Sequence, residues 1–182
     1  PYIIAEIGSN HNGSFKLGKK MITAAKKAGA DCVKFQSWTK DSLYSKNVYH
    51  KDKQLEKTIE KLAVNENLLY KFYNYSKEIG IEFTSTPFSK KEVDFLTKKV
   101  KVPFIKVASM DLVNLDFIEY IAKKNVPIVI SNGLSEIYEI DKTIKLIEKY
   151  HKKIAILHCI ASYPTKDENV NLNNIDTLSN LY

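Results

Sequence analysis

Two lysines sit where few sequences place one. Lys34 in "DCVKFQSW" and Lys106 in "FIKVASMD" each interrupt an apolar, β-branched run. Burying an ammonium is costly, and one persists in such a place where an anion meets it. Further polar groups follow both lysines: Gln36 after the first, Ser109 and Asp111 after the second. Four other apolar runs end in the same way. "YIIAEIGSNHNG" delivers Glu6, Asn10 and His11, and "IEFTSTPF" delivers Ser85 and Thr86. "PIVISNG" delivers Ser131 and Asn132, and "LHCIASYP" delivers His158, Ser162 and Tyr163. Each has a plain structural explanation when taken alone. A strand lysine can snorkel its charge to the rim, and a strand-end hydroxyl can cap the next helix. Six coincident ends point instead to one shared polar pocket that receives an anion.

The elements that position these groups are legible from periodicity. Strands are expected over residues 2–7, 31–36, 81–85, 104–107, 126–130 and 154–158. Amphipathic helical stretches lie between them at 14–28, 55–62, 66–79, 89–99, 114–124 and 135–150, and a last one begins near 171. Ser14, Ser89 and Ser135 stand at expected N-caps, and Gly29 and Gly80 just past helix ends. Strands alternating with helices imply parallel pairing through right-handed crossovers. A doubly wound sheet and a TIM-type (β/α)8 barrel both fit that alternation. The first strand is followed by "GSNHNG" and not by the glycine fingerprint of a dinucleotide-binding sheet. Chemistry collected at the C-terminal strand ends favours the barrel, here about six βα units of it. His11 is expected to hold its loop, and His158 to be a hydrogen-bonded strand-end histidine.

Composition sets the class and removes others. The chain has 182 residues, 44% hydrophobic and 27% charged, with 6 Gly and 5 Pro, which is ordinary for a globular domain. No apolar run approaches the ~20 residues of a membrane span, and no leader-like segment opens the chain. No membrane partner is therefore expected. The net charge of +7 comes from lysine alone, because the chain has no arginine. The lysines fall as pairs on the expected helices, the look of solvated faces, so no nucleic-acid partner is expected either. Cys32 and Cys159 form no framework and read as free thiols of a cytoplasmic protein.

The ordered set "AEIGSNHNG", "AGADCVKFQSW", "STPFS", "IKVASMDLVNL", "PIVISNGL" and "LHCIASYP" resembles the sialic acid synthase family over essentially all of the chain. That family includes N-acetylneuraminate, legionaminate and pseudaminate synthases. The resemblance implies a (β/α)8 barrel that condenses phosphoenolpyruvate with an N-acetylated hexosamine, giving a nine-carbon 2-keto acid and phosphate. It implies a phosphoenolpyruvate site at Lys34, Thr86, Lys106, Ser109 and Ser131, and Gln36 and Asn10 are further expected substrate-binding residues. Catalytic carboxylates are implied at Glu6 and at Asp111, which lies where many members have Glu, and a sugar-side tyrosine at Tyr163. A divalent metal, manganese or magnesium, is implied as Lewis acid, with no ligands within this chain and with its histidines beyond residue 182. A homodimer is implied for the full-length protein.

Residues 1–182 then read as a partial barrel, without the family's last two units or its small C-terminal domain resembling type III antifreeze protein. Such a piece is expected to be inactive by itself. Two competing readings are a non-catalytic anion-binding module and another phosphoenolpyruvate-dependent 2-keto-acid synthase. The polar segment Trp38 to Gln54 reads equally as a mobile surface loop and as a lid over the sugar.

Overall fold

A computed structural model describes residues 1–182 as two compact units, Pro1–Ile105 and Lys106–Tyr182. The first unit holds β1 (Ile4–Gly8), β2 (Cys32–Ser37) and β3 (Glu82–Pro87), paired in that order and all parallel. Helix α1 (Phe15–Lys27) joins β1 to β2. The longer link to β3 carries α2 (Lys40–Leu43), α3 (Lys46–Lys51), α4 (Lys53–Leu62) and α5 (Glu66–Glu78). Beyond β3, α6 (Lys90–Asp94) runs on into a π-helical turn, Phe95–Val100.

Strand β2 is the buried middle of its sheet. Phe35 stacks on Phe72 of α5 at 4.6 Å between ring centroids and on Phe83 of β3 at 5.4 Å. Helices α1 and α5 meet closely because Gly18 has no side chain. A Cβ there would stand 2.1 Å from the Phe72 ring. Ser14 caps α1 by accepting from the Leu17 amide, and Gly29 and Gly80 take positive φ just past their helices, as expected.

The segment after β2 is more ordered than a loop. Trp38, Tyr49 and Ile59 form a small core of their own, with Leu43, Leu55, Leu62 and Phe88 packed against it. Polar ties close it further. The Tyr49 hydroxyl donates to the Lys40 carbonyl at 2.8 Å, and Glu92 accepts from the Ser42 hydroxyl and the Phe88 amide, both at 2.6 Å. The mobile-loop alternative gives way to a packed helical insert, since its scattered apolar residues line one seam.

The second unit begins within β4 (Ile105–Val107), which is followed by a 3-10 turn at Ser109–Asp111 and α7 (Leu115–Ala122). Then come β5 (Ile128–Ser131), α8 (Ile137–Glu148), β6 (Ile154–Leu157), a 3-10 turn at Asp167–Asn169 and α9 (Asn174–Leu181). Its sheet order is β4-β5-β6, with β5 and β6 parallel and Ser131 opposite Leu157. Ile118, Ile121, Ile128, Ile130 and Ile140 fill its core. The start of α8 differs from the expectation by one residue. Glu136, not Ser135, is the N-cap, in a capping box with Glu139, while the Ser135 hydroxyl is buried without a partner. The parallel α/β class stands as expected. The six strands pair as two three-stranded sheets, and the closed eight-stranded barrel implied by the resemblance is not formed by them.

Candidate functional site

In the first unit the sequence-nominated groups meet at the C-terminal ends of the strands. The register places Glu6 opposite Lys34 across β1 and β2, and Gln36 opposite Thr86 across β2 and β3. Lys34 is almost fully buried, yet its ammonium reaches the strand end. It forms an ion pair with the Glu6 carboxylate and donates to the Thr86 hydroxyl at 3.1 Å. The Glu6 side chain is 49% exposed, so the pair is open to solvent on the carboxylate side. Gly8 follows in a left-handed conformation, φ +55°, where the β1–β2 register shifts. A Cβ there would lie 3.2 Å from the Glu6 carboxylate, so the glycine leaves that group its room.

Gln36 and Asn10 flank this pair but point to local partners. The Gln36 side-chain oxygen accepts from the Trp38 indole at 3.2 Å, and the Asn10 amide donates to the Ile7 carbonyl at 3.0 Å. His11 is wholly buried among Phe35 and Phe72, with Nδ1 accepting from the Gly13 amide at 3.0 Å. Burial pushes its pKa below the usual value, and Nε2 has no hydrogen-bond partner. A neutral histidine that ties down its own loop is what this geometry describes.

The second unit builds a cluster of similar chemistry around Lys106. Its ammonium donates to the Ser131 hydroxyl and to the Val107 carbonyl, both at 2.5 Å, and both Lys106 and Ser131 are buried. The Ser109 hydroxyl accepts from the Gly133 amide at 3.2 Å, which ties the β4 turn to the turn after β5. Sequence reasoning missed Cys159, which it weighed only for disulfide pairing. The thiol lies 3.2 Å from the Ser131 hydroxyl, and the Cys159 amide donates to the Asn132 side-chain oxygen at 3.0 Å. The available signal was position: Cys159 lies two residues past β6, near a strand end as Asn132 is near that of β5.

Two nominated residues are not gathered into that cluster. Asp111 sits in the 3-10 turn with Oδ2 buried and unpartnered, and burial raises its pKa above the usual carboxylate value. Tyr163 is 96% exposed, just before the cis-bonded Pro164. His158 donates from Nε2 to the Val170 carbonyl at 2.8 Å, the strand-end role expected of it. No three His, Cys, Asp or Glu side chains converge as a metal cage would require. His11 and His158 each spend one ring nitrogen on a backbone partner, Gly13 and Val170.

What the strand ends offer is therefore two nearly buried ammoniums, each set against a hydroxyl, with a half-exposed carboxylate beside the first. Within each unit an ammonium beside a hydroxyl can hold an anion, and in the first unit the Glu6 carboxylate adds an acid–base group. Comparison with known proteins places the chain among relatives. Over its full length the chain is 43% identical to an uncharacterized protein of Methanocaldococcus jannaschii and covers 52% of it. Over 98% of its length it is 33% identical to the N,N'-diacetyllegionaminic acid synthase of Legionella pneumophila and covers 54% of that enzyme. The chain thus spans about half the length of the curated relatives it matches. Among solved structures, the sialic acid synthetase of Leptospira borgpetersenii superposes on all of the chain with a TM-score of 0.91 at 28% identity, over 61% of that structure. The NeuB family model matches residues 21–182, and the chain belongs to the NeuB family.

Proposed function

We propose that the protein carrying this chain condenses phosphoenolpyruvate with an N-acetylated hexosamine, forming a nine-carbon 2-keto acid of the sialic acid type and releasing phosphate. The observation that carries this reading is the pair of strand-borne lysines, each almost fully buried and each bonded to a strand-end hydroxyl, Thr86 for Lys34 and Ser131 for Lys106. Phosphoenolpyruvate brings a phosphate and a carboxylate. A chain without arginine must meet that charge with ammoniums and hydroxyl donors. Membership in a family whose named members include N,N'-diacetyllegionaminic acid and pseudaminic acid synthases supports the same substrates.

In the proposed reaction, carbon 3 of phosphoenolpyruvate forms a bond to the aldehyde carbon of the open-chain sugar, and the aldehyde oxygen takes a proton. Water adds at carbon 2, and the tetrahedral intermediate breaks its carbon–oxygen bond to phosphate. Lys34, Thr86, Lys106, Ser109 and Ser131 hold the phosphate and carboxylate through these steps. Glu6 orients or activates the water or a sugar hydroxyl, Asp111 is the second catalytic carboxylate, and Tyr163 serves the sugar side. A divalent metal, manganese or magnesium, would take its ligands from residues outside this chain, and no step here is routed through it. The proposed setting is the cytoplasm, with a homodimer as the working form.

The test is steady-state kinetics on the full-length protein, following phosphate release with N-acetylmannosamine and with a 2,4-diacetamido-trideoxyhexose as alternative acceptors. A hydrogen bond to a charged group contributes about 1.5–3 kcal/mol, so Lys34→Ala and Lys106→Ala should each raise the KM for phosphoenolpyruvate roughly ten- to hundredfold. Unchanged KM in both variants would overturn the assignment.

A further inference from the structure

Helix α1 carries more lysines than any other helix of the chain. Its sequence, "FKLGKKMITAAKK", holds five lysines and no acid. Lys16 stands in the first turn, where the helix dipole disfavours a cation, and Lys16 and Lys20 repel one another at i,i+4. Several lysines elsewhere are paired within their own helical segment. Lys53 pairs with Glu56, Lys98 with Asp94, Lys123 with Glu119 and Lys145 with Asp141, each within 3.1 Å and one helical turn. No ion pair joins any lysine of α1. The opposite face of the helix is fixed by packing, with Ile22 and Gly18 buried, so the lysines cannot turn inward.

Lys16, Lys19, Lys20 and Lys27 line an open groove of about 540 Å³ with Phe15 and Tyr75. From Lys16 to Lys27 the helix rises roughly 16 Å. The groove is open to solvent, the cations are flexible, and no fixed donor sets a bonding geometry. The Lys19 ammonium already sits over both rings, 4.2 Å from the Tyr75 centroid and 5.9 Å from that of Phe15. The rings are therefore capped and do not offer a stacking platform to a nucleic-acid base. A line of lysines without ion pairs along one open helix face suits an extended, fluid anionic plane.

We propose that α1 docks the protein peripherally on an anionic lipid surface through Lys16, Lys20 and Lys27, with Lys19, Phe15 and Tyr75 at the contact. Such docking needs no membrane-spanning segment, and no helix here is long and apolar enough to be one. It assigns a partner to a face that charge patterning alone reads as merely solvated, and to a chain expected to have no membrane contact. The arrangement is that of a basic amphipathic helix, except that the apolar side is spent on α5 and attraction to the headgroups is left to charge.

The experiment is cosedimentation of the full-length protein with vesicles of phosphatidylcholine alone and of phosphatidylcholine with phosphatidylserine. Binding is expected only to the second kind, and it should weaken steeply as salt is added. Each lysine near such a surface contributes about fivefold, so Lys16→Gln/Lys20→Gln/Lys27→Gln together should weaken binding roughly a hundredfold. Replacing exposed Lys142, Lys149 and Lys152 with Gln makes the same change in net charge and should leave most of the binding. A circular-dichroism melt unchanged in the α1 variant excludes misfolding as the cause. Equal binding to neutral vesicles, no binding to either kind, or equal loss in the two triple variants would overturn the proposal. So would a clear preference of the α1 face for a single-stranded oligonucleotide or an acidic polypeptide over the vesicles.

Discussion

Replacing Glu6 by Gln separates the roles that the Lys34 ion pair combines. The carboxylate bonds the ammonium from a position that leaves half its side chain in water. Solvated pairs of this kind contribute about 0–1 kcal/mol, so the variant should lose less than ~1 kcal/mol of stability. The same carboxylate competes with any incoming anion for Lys34. With a neutral amide in its place, the KM for phosphoenolpyruvate should fall, by at most about fivefold, the equivalent of ~1 kcal/mol. Turnover should move the other way. If Glu6 handles a proton in the reaction, its loss should lower kcat about a hundredfold to ten-thousandfold. The assay is phosphate release by the full-length protein with each substrate varied in turn, beside a urea unfolding curve for the same preparation. A kcat near that of the unmodified protein refutes the acid–base role. A KM that rises while kcat holds would show that Glu6 only props the lysine.

Two further perturbations test the scaffold beneath the site. Gly18→Ala gains about 1 kcal/mol of helix propensity but drives a Cβ to 2.1 Å from Phe72, whose ring is fully buried and stacked on Phe35. Overpacking of that kind costs about 1–3 kcal/mol, so the urea midpoint should drop, and a raised midpoint would contradict the packing described. Burial lowers the pKa of both His11 and His151, so as pH falls below about 6.5 the unfolded chain takes up protons first. Stability should therefore be full above that pH and decline below it, by up to about 1.4 kcal/mol per pH unit per histidine, and His11→Gln should flatten the slope. Unfolding free energies that stay level through this range would refute the argument.

The strands were the most legible part of the sequence. β-branched runs such as "PIVIS" and "IAIL" have one plausible conformation, and their ends fell within two residues of the expected positions. The polar groups at those ends were legible because Lys34 and Lys106 violate the composition of a buried strand. What stayed hidden depended on contacts far apart in the chain. The core of the segment after β2 brings Trp38 together with Ile59 and Phe88, and local periodicity carries no sign of that. The bond between Cys159 and Ser131 depends on β6 lying beside β5. At α8, Ser135 has the better intrinsic claim to the cap, yet the reciprocal bond between Glu136 and Glu139 prevails. Which donor each side chain chooses was equally hidden, as with Gln36 turning to the Trp38 indole.

The ladder between β2 and β3 carries one more implication. Lys34 lies opposite Thr84 in the pairing, but it reaches two rungs along to Thr86, on the same face of the sheet. Side chains alternate faces along a strand, so sliding β3 by a single residue would send that hydroxyl to the far side. Gene changes that lengthen or shorten either strand by an odd count should therefore disarm the protein even where it still folds. Even counts leave the alternation intact, which makes parity, more than length, the quantity that mutation must respect here.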